Sequence, residues 1–297
     1  MSIVSCVLMG GLGNQLFQIF TVIAYAIRYK RKVVLPYSED LQFGKVRPTY
    51  WDNLLSSLKN VTTYSQPYTN EYLQHLVQYR ENGHHYQEIP NLSNREFTLF
   101  GYFQSARYFE NERSTIFSLI RLAESKERVA HEYPEYSNDN AITISMHFRL
   151  GDYKNIQECH PILPDDYYIA ALMHILLNIT IDRPVKVLYF CEKEDNEAVS
   201  SIVRQCAETY SAFHFIKVDD SIDDWKQLLI MSNCHHHIIA NSSFSWWGAY
   251  FTPSGIVNAR ADKIVCYPSM WFGPALANKR LDDMFPSEWT RIEVTKN

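Results

Sequence analysis

Between residues 141 and 268 the chain alternates five short, nearly continuous apolar runs with four longer amphipathic ones, and few folds accept that pattern. The runs AITISMHF (141–148), VKVLYFC (185–191), FHFIKV (213–218), HHIIA (236–240) and KIVCYP (263–268) read as strands buried on both faces. The stretches 165–179, 196–210, 221–234 and 243–251 read as helices between them. Strands alternating with helices of this length predict a doubly wound α/β domain with a parallel sheet. Near the N-terminus, IVSCVLM (3–9), a glycine loop, the helical run 16–30 and KVVLPY (32–37) form one βαβ unit. Residues 38–135, rich in Tyr, Asn and Gln, show one clear apolar segment, FTLFGYF (97–103), and fall to the rest of a first domain. A chain of 297 residues is long for one core, so two Rossmann-like domains facing each other across a cleft are expected, 1–138 and 139–297. Open parallel sheets bind ligands beyond the carboxyl ends of their strands, which makes the loops after strands the first places to look.

A net charge of -5 argues against a general nucleic-acid or anionic-membrane surface, because phosphate-backbone binding needs clustered Lys and Arg. The apolar stretch Ile3 to Met9 is too short to span a bilayer, and Leu16 to Ile27 is interrupted by Gln18 and Thr21. Six cysteines without any CxxC pair, three of them in expected strands, suggest reduced thiols and a cytoplasmic, soluble protein. With no signal peptide evident, the sequons at Asn60, Asn91, Asn178 and Asn241 read as chance matches.

Three loops carry chemistry. GGLGNQ (10–15) joins the first strand to its helix. Gly11 and Gly13 let the backbone approach a ligand, and amides at a helix N-terminus attract anions. Asn14 and Gln15 add hydrogen-bonding amides that a turn does not need, although the spacing also suits a tight turn with nothing bound. HFRLGDY (147–153) ends a strand, and alternation puts His147 and Arg149 on one face. Arg149 offers a permanently charged fork for a diphosphate, the plain alternative being an Arg149–Asp152 ion pair that closes the loop. ANSSFSWWGAY (240–250) sets Asn241, Ser242, Ser243 and Ser245 between a buried strand and a helix. One of them suffices as a cap, and four supply donors beside the positive end of a helix.

Other motifs are weak or missing. In the run His235 to His237, successive strand residues face opposite ways, so at most two could share an ion. The chain has no DxD, GxSxG or HExxH, and no metal site is expected.

Taken together, GGLGNQLFQ (10–18), GYFQSARYF (101–109), HFRLGDY (147–153), FCE (190–192) and IIANSSFSWWGAY (238–250) resemble glycosyltransferase family 11, the α1,2-fucosyltransferases, in the family's order. The resemblance implies a GT-B-like fold, GDP-fucose as donor substrate with no cofactor, an oligosaccharide acceptor reacting through a hydroxyl such as galactose O2, and inversion without a metal. It implies that Arg149 binds the donor diphosphate, that His147 lies beside the nucleotide, that Asp152 orders the loop, and that Asn241 to Ser245 and Glu192 face the donor. Asn14 is expected to hold the acceptor or the β-phosphate, reaching the reacting centre. Asp152, Glu192 and a leaving-group phosphate oxygen are alternative general bases. The competing classes are a non-catalytic nucleotide-sugar or glycan binder, and a transferase of another nucleotide sugar. Two positions depart from the family pattern: Leu150 replaces the second Arg of HxRRGDY, and Lys193 stands where an acidic residue commonly follows Glu192.

Overall fold

The structure, a computed structural model, describes residues 2–42, 44–92, 95–137, 140–252 and 263–294. The fold is α/β with parallel sheets. It separates into two compact units, unit 1 comprising Met1–Ser125 with Lys279–Pro286 and unit 2 comprising Lys126–Asn278 with Ser287–Asn297. The division expected after residue 138 falls on residues outside those described.

In unit 1 the strands are β1 (Ile3–Cys6), β2 (Lys32–Val33), β3 (Asp40–Leu41), β4 (Arg47–Pro48), β5 (Val77–Arg80) and β6 (Phe97–Phe100). A four-stranded sheet runs β2-β1-β6-β5, parallel at every pairing, while β3 and β4 form a separate antiparallel pair. The first helix, α1 (Leu12–Tyr29), buries fourteen of its residues, so it is apolar nearly all round and acts as a core element. Phe20 meets Phe109 edge to face at 5.5 Å on one side of it. Helices α2 (Asn70–Gln74) and α3 (Arg113–Leu119) follow, and α4 (Leu122–Glu132) runs across the division after Ser125. The returning segment 279–286 is pinned through Asp283. Its carboxylate accepts the Tyr86 amide at 3.1 Å and the Arg107 guanidinium at 2.7 Å, and its carbonyl accepts the Ser105 hydroxyl at 2.6 Å. Ser105 and Arg107 of the block GYFQSARYF therefore work as anchors within unit 1.

Unit 2 contains β7 (Ile142–His147), β8 (Val185–Phe190), β9 (His214–Lys217), β10 (His236–Ile238), β11 (Val265–Pro268) and β12 (Thr290–Ile292), with α5 (Asp165–Leu177), α6 (Asn196–Thr209), α7 (Asp224–Ser232) and α8 (Ser243–Tyr250). The sheet order is β12-β11-β10-β7-β8-β9, all parallel. The chain winds from β7 outward to β9, then returns to the other side of β7 as β10, so the winding reverses between β7 and β10. Such a reversal opens a crevice at the carboxyl ends of those two strands. Ile144, Met146, Val187, Ile238 and Cys266 are fully buried around the sheet, each apolar side chain of this kind contributing about 1.5–3 kcal/mol. Leu150 joins this cluster, so the residue that departs from the family pattern packs into the core. No helix among the described residues is long and apolar enough to cross a membrane. All six cysteines are unpaired, and burial pushes the Cys234 and Cys266 thiols up to about 12.

Candidate active site

The loop after β7 delivers Arg149 to the crevice. Phe148 still pairs with the sheet, its amide donating to the Phe190 carbonyl at 2.8 Å, and the backbone then turns away. The two terminal nitrogens of Arg149 are held by different carboxylates, Nη1 by Glu192 and Nη2 by Asp152. Its side chain is 17% exposed, and the guanidinium carbon sits 5.1 Å from the centre of the Tyr153 ring. Burial works against the charge, but Glu192 and Asp152 outweigh it and hold the guanidinium pKa above its ordinary value. The ion pair expected as the plain alternative is thus present, with Glu192 as a second partner.

The loop's anchor is a residue that the sequence did not single out. Asp195 is completely buried, and its two oxygens accept the Gly151 amide at 2.7 Å and the Lys154 ammonium at 2.6 Å. It stands at the N-cap of α6, where an aspartate ordinarily bonds the helix's own first amides, yet it makes no capping bond. The carboxylate is withheld from its helix and spent on the neighbouring loop. Gly151 fits this arrangement because its φ is +30° and an added Cβ would lie 2.3 Å from Glu192 Oε2.

Across the crevice, the loop after β10 leads into α8. Ser242 caps the helix, its Oγ accepting the Phe244 amide at 3.3 Å, and Ser245 Oγ donates back to the Ser242 carbonyl at 3.3 Å. Asn241 is buried, and its amide nitrogen donates to the carbonyls of Pro161 at 2.9 Å and Trp271 at 3.3 Å. Three of the four expected donors are therefore committed to the fold, and Ser243 with Phe244 forms the half-buried surface. The Tyr153 hydroxyl ties the two loops together by donating to the Asn241 carbonyl at 3.0 Å. His147 lies 5.5 Å from the Phe244 ring; burial, reinforced by the Arg149 charge, pushes its imidazole down to about 3, so it is neutral.

In unit 1 the glycine loop is shorter than expected. The helix begins at Leu12 rather than 16, with Gly11 as N-cap, so Asn14 and Gln15 ride on its first turn. Gly10 has a φ of +77°, and a Cβ there would lie 2.4 Å from Asn14 Nδ2. Gln15, expected to contact a ligand, is instead buried and donates to the Gly10 carbonyl at 3.0 Å and the Pro48 carbonyl at 2.8 Å. Gln18 accepts the Met9 amide at 2.9 Å, closing the turn from inside. Asn14 Oδ1 accepts Gln104 Nε2 at 2.8 Å, joining the carboxyl ends of β1 and β6.

The histidine run is structural. His235 and His236 accept backbone amides at Nδ1, from Thr143 at 3.0 Å and Ile264 at 3.2 Å, while His237 bridges Ser145 at 2.7 Å and Thr252 at 2.9 Å. Among the described residues no three His, Cys, Asp or Glu side chains gather as metal ligands.

The sequence profile of glycosyl transferase family 11 matches residues 3–292. The chain belongs to glycosyl transferase family 11.

Two relatives from Escherichia coli agree with that membership. One, an O-antigen biosynthesis glycosyltransferase, WbnK, is 29% identical over 90% of this chain and 94% of its own length. The other, an α-1,2-colitosyltransferase, is 25% identical over 99% of this chain and 100% of its own. Among solved structures, the fucosyltransferase NodZ from Bradyrhizobium aligns at 14% identity and a TM-score of 0.47, covering 85% of this chain and 94% of that one. In this family 11 glycosyltransferase His147, Arg149, Asp152, Glu192 and the Asn241–Ser245 segment converge at one switch point, and Gly11, Gly13, Asn14 and Gln15 form the corresponding loop of unit 1. Of the residues the sequence missed, Asp195 carried a signal: it stands immediately before the expected helix at 196, a position that reads as an ordinary cap.

Proposed function

We propose that this family 11 chain transfers a 6-deoxyhexose, L-fucose in the first instance, from a GDP-linked donor to a glycan hydroxyl, galactose O2 being the favoured position, with inversion and without a metal. The observation that supports it most is Arg149, a permanent cation held at the carboxyl end of β7 beside the N-terminus of α8. As the bond from the anomeric carbon to the diphosphate breaks, negative charge grows on the leaving group while the sugar gains oxocarbenium character. A preorganised cation and a helix N-terminus stabilise that charge without reorganising. The donor diphosphate takes over Nη1 from the half-exposed Glu192, while Asp152 keeps Nη2 in place. Glu192, once displaced, is one candidate base for the acceptor hydroxyl, along with Asp152 and a phosphate oxygen.

A second reading is supported by the full-length relative described as an α-1,2-colitosyltransferase: the same linkage with colitose, which is fucose lacking its 3-hydroxyl. Nucleotide release from GDP-fucose, GDP-colitose, GDP-mannose and UDP-galactose, each with N-acetyllactosamine and with or without EDTA, tests both. Release from GDP-fucose that EDTA does not change is the expected result. Turnover of GDP-colitose alone moves the donor to the second reading, turnover of UDP-galactose alone overturns both, and loss of activity in EDTA overturns the metal-free mechanism.

A further inference from the structure

Unit 1 carries an aromatic surface that none of the chemistry above uses. Tyr37 follows β2, which pairs with β1 in parallel, Ile3 opposite Lys32 and Val4 opposite Val33. It therefore leaves the sheet at the carboxyl end, the same end as the glycine loop. Its ring lies 4.9 Å from that of Tyr64, tilted by 47°. Tyr64 is 64% exposed, so most of a large ring faces water. The Lys59 ammonium stands 4.3 Å from the centre of the Tyr64 ring and 5.1 Å from that of Tyr37. Lys59 is ion-paired with Asp52, whose other oxygen accepts the Tyr37 hydroxyl at 3.2 Å. The backbone beneath is fixed as well: the Tyr37 amide donates to Thr63 Oγ1 at 3.0 Å and its carbonyl accepts Asn70 Nδ2 at 2.7 Å.

The chemistry of this surface selects its occupant. A protein partner buries a broad apolar area, whereas here two tyrosine rings are flanked by the ionised Lys59 and Asp52. A pyranose has the complementary form, a flat face of C–H bonds that packs on an aromatic ring and a rim of hydroxyls that meets a carboxylate and an ammonium. We propose that Tyr37 and Tyr64, flanked by Lys59 and Asp52, stack a sugar of the acceptor glycan beyond the one that reacts. This rests on the reading of the chain as a transferase acting on a glycan.

The test compares two acceptors with the same reacting end, the disaccharide N-acetyllactosamine and the linear tetrasaccharide of two such units. In Tyr64→Ala the KM for the tetrasaccharide should rise about tenfold, which corresponds to ~1.4 kcal/mol. The KM for the disaccharide and kcat for both should stay unchanged, and Tyr64→Phe, which keeps the ring, should behave as the unaltered enzyme. Equal changes with both acceptors, or none, overturn the subsite. If the unaltered enzyme releases nucleotide with neither acceptor, that galactoside-transferase reading fails instead, and saturation-transfer NMR of the tetrasaccharide decides the subsite. Saturation of its inner sugars that Tyr64→Ala abolishes sustains the subsite, and its absence in the unaltered protein overturns it.

Discussion

The loops after β1 and β7 occupy equivalent places, each leaving an inner strand of a parallel sheet at its carboxyl end, yet they are held in opposite ways. The glycine loop of unit 1 is held largely from within: Gln15 and Gln18 turn inward and bond the Gly10 carbonyl and the Met9 amide, with one further bond from Gln15 to the Pro48 carbonyl. The Arg149 loop of unit 2 is held from the next strand's loop, by Asp195 on Gly151 and Lys154 and by Glu192 on Arg149. A loop that anchors itself consumes the polar groups that made it look like a binding site. One anchored from elsewhere keeps its charge at the crevice.

The most direct way to break this contrast is at Arg149. Removing one preorganised charge partner typically costs about 3 kcal/mol of barrier, so Arg149→Ala should lower turnover ~100-fold or more with the melting temperature little changed. Nucleotide release with acceptor present measures it, and near-normal turnover would place the diphosphate elsewhere.

Next in size is Asp195, a positioning residue that acts through the loop. Asp195→Ala leaves the Gly151 amide and the Lys154 ammonium without their buried acceptor, at a cost of about 2 kcal/mol. Because Arg149 then loses its fixed placement, the donor KM should rise roughly thirtyfold, with a smaller fall in kcat. Asp195→Asn keeps an acceptor for the Gly151 amide and should recover part of the loss. An equal fall in thermal stability for both variants, with unaltered donor KM, would reduce Asp195 to a structural group.

How far the sequence reveals all this depends on what holds each element. The strands β7, β8 and β10 are legible because most of their residues are buried, so that apolar side chains recur through them and the residues that flank them. The edge strand β5, three of whose four residues are exposed, and the three-residue β12 show no such pattern. The helix α1 starts four residues before its sequence suggests, since Leu-Gly-Asn-Gln is a poor helical opening until the Gly10 and Pro48 carbonyls supply partners for Gln15. Arg149 was visible from its place at a strand end. Asp195 was not, because nothing in the residues 195–196 tells a cap from an anchor 44 positions away.

Unit 1 supplies the converse test. If Gln18 serves folding alone, Gln18→Leu leaves the buried Met9 amide unpaired and costs about 1.5 kcal/mol. That corresponds to a drop in Tm of roughly 3–6 °C. Activity measured well below Tm should be unchanged. Asn14→Ala should do the reverse, lowering activity with little change in Tm, since Asn14 is half-buried where β1 and β6 end. A Gln18 variant that is stable but inactive would mean the loop is not self-anchored.

The smallest effect concerns His147, the one uncharged member of the unit 2 site that titrates below neutrality. Its imidazole is held down to about 3 by burial and by Arg149, against an ordinary value of 6.5. Below pH 6.5 the unfolded chain therefore binds a proton that the native protein refuses, and stability present in full above 6.5 is lost as pH falls toward 3. In that window the group adds up to about 1.4 kcal/mol per pH unit to the slope. His147→Phe removes the titrating group while keeping a ring against Phe244, so its Tm should fall less steeply between pH 6 and pH 4 than that of the unaltered protein. Parallel curves would show that His147 takes up its proton in the folded state, and the crevice would then carry a second cation beside Arg149.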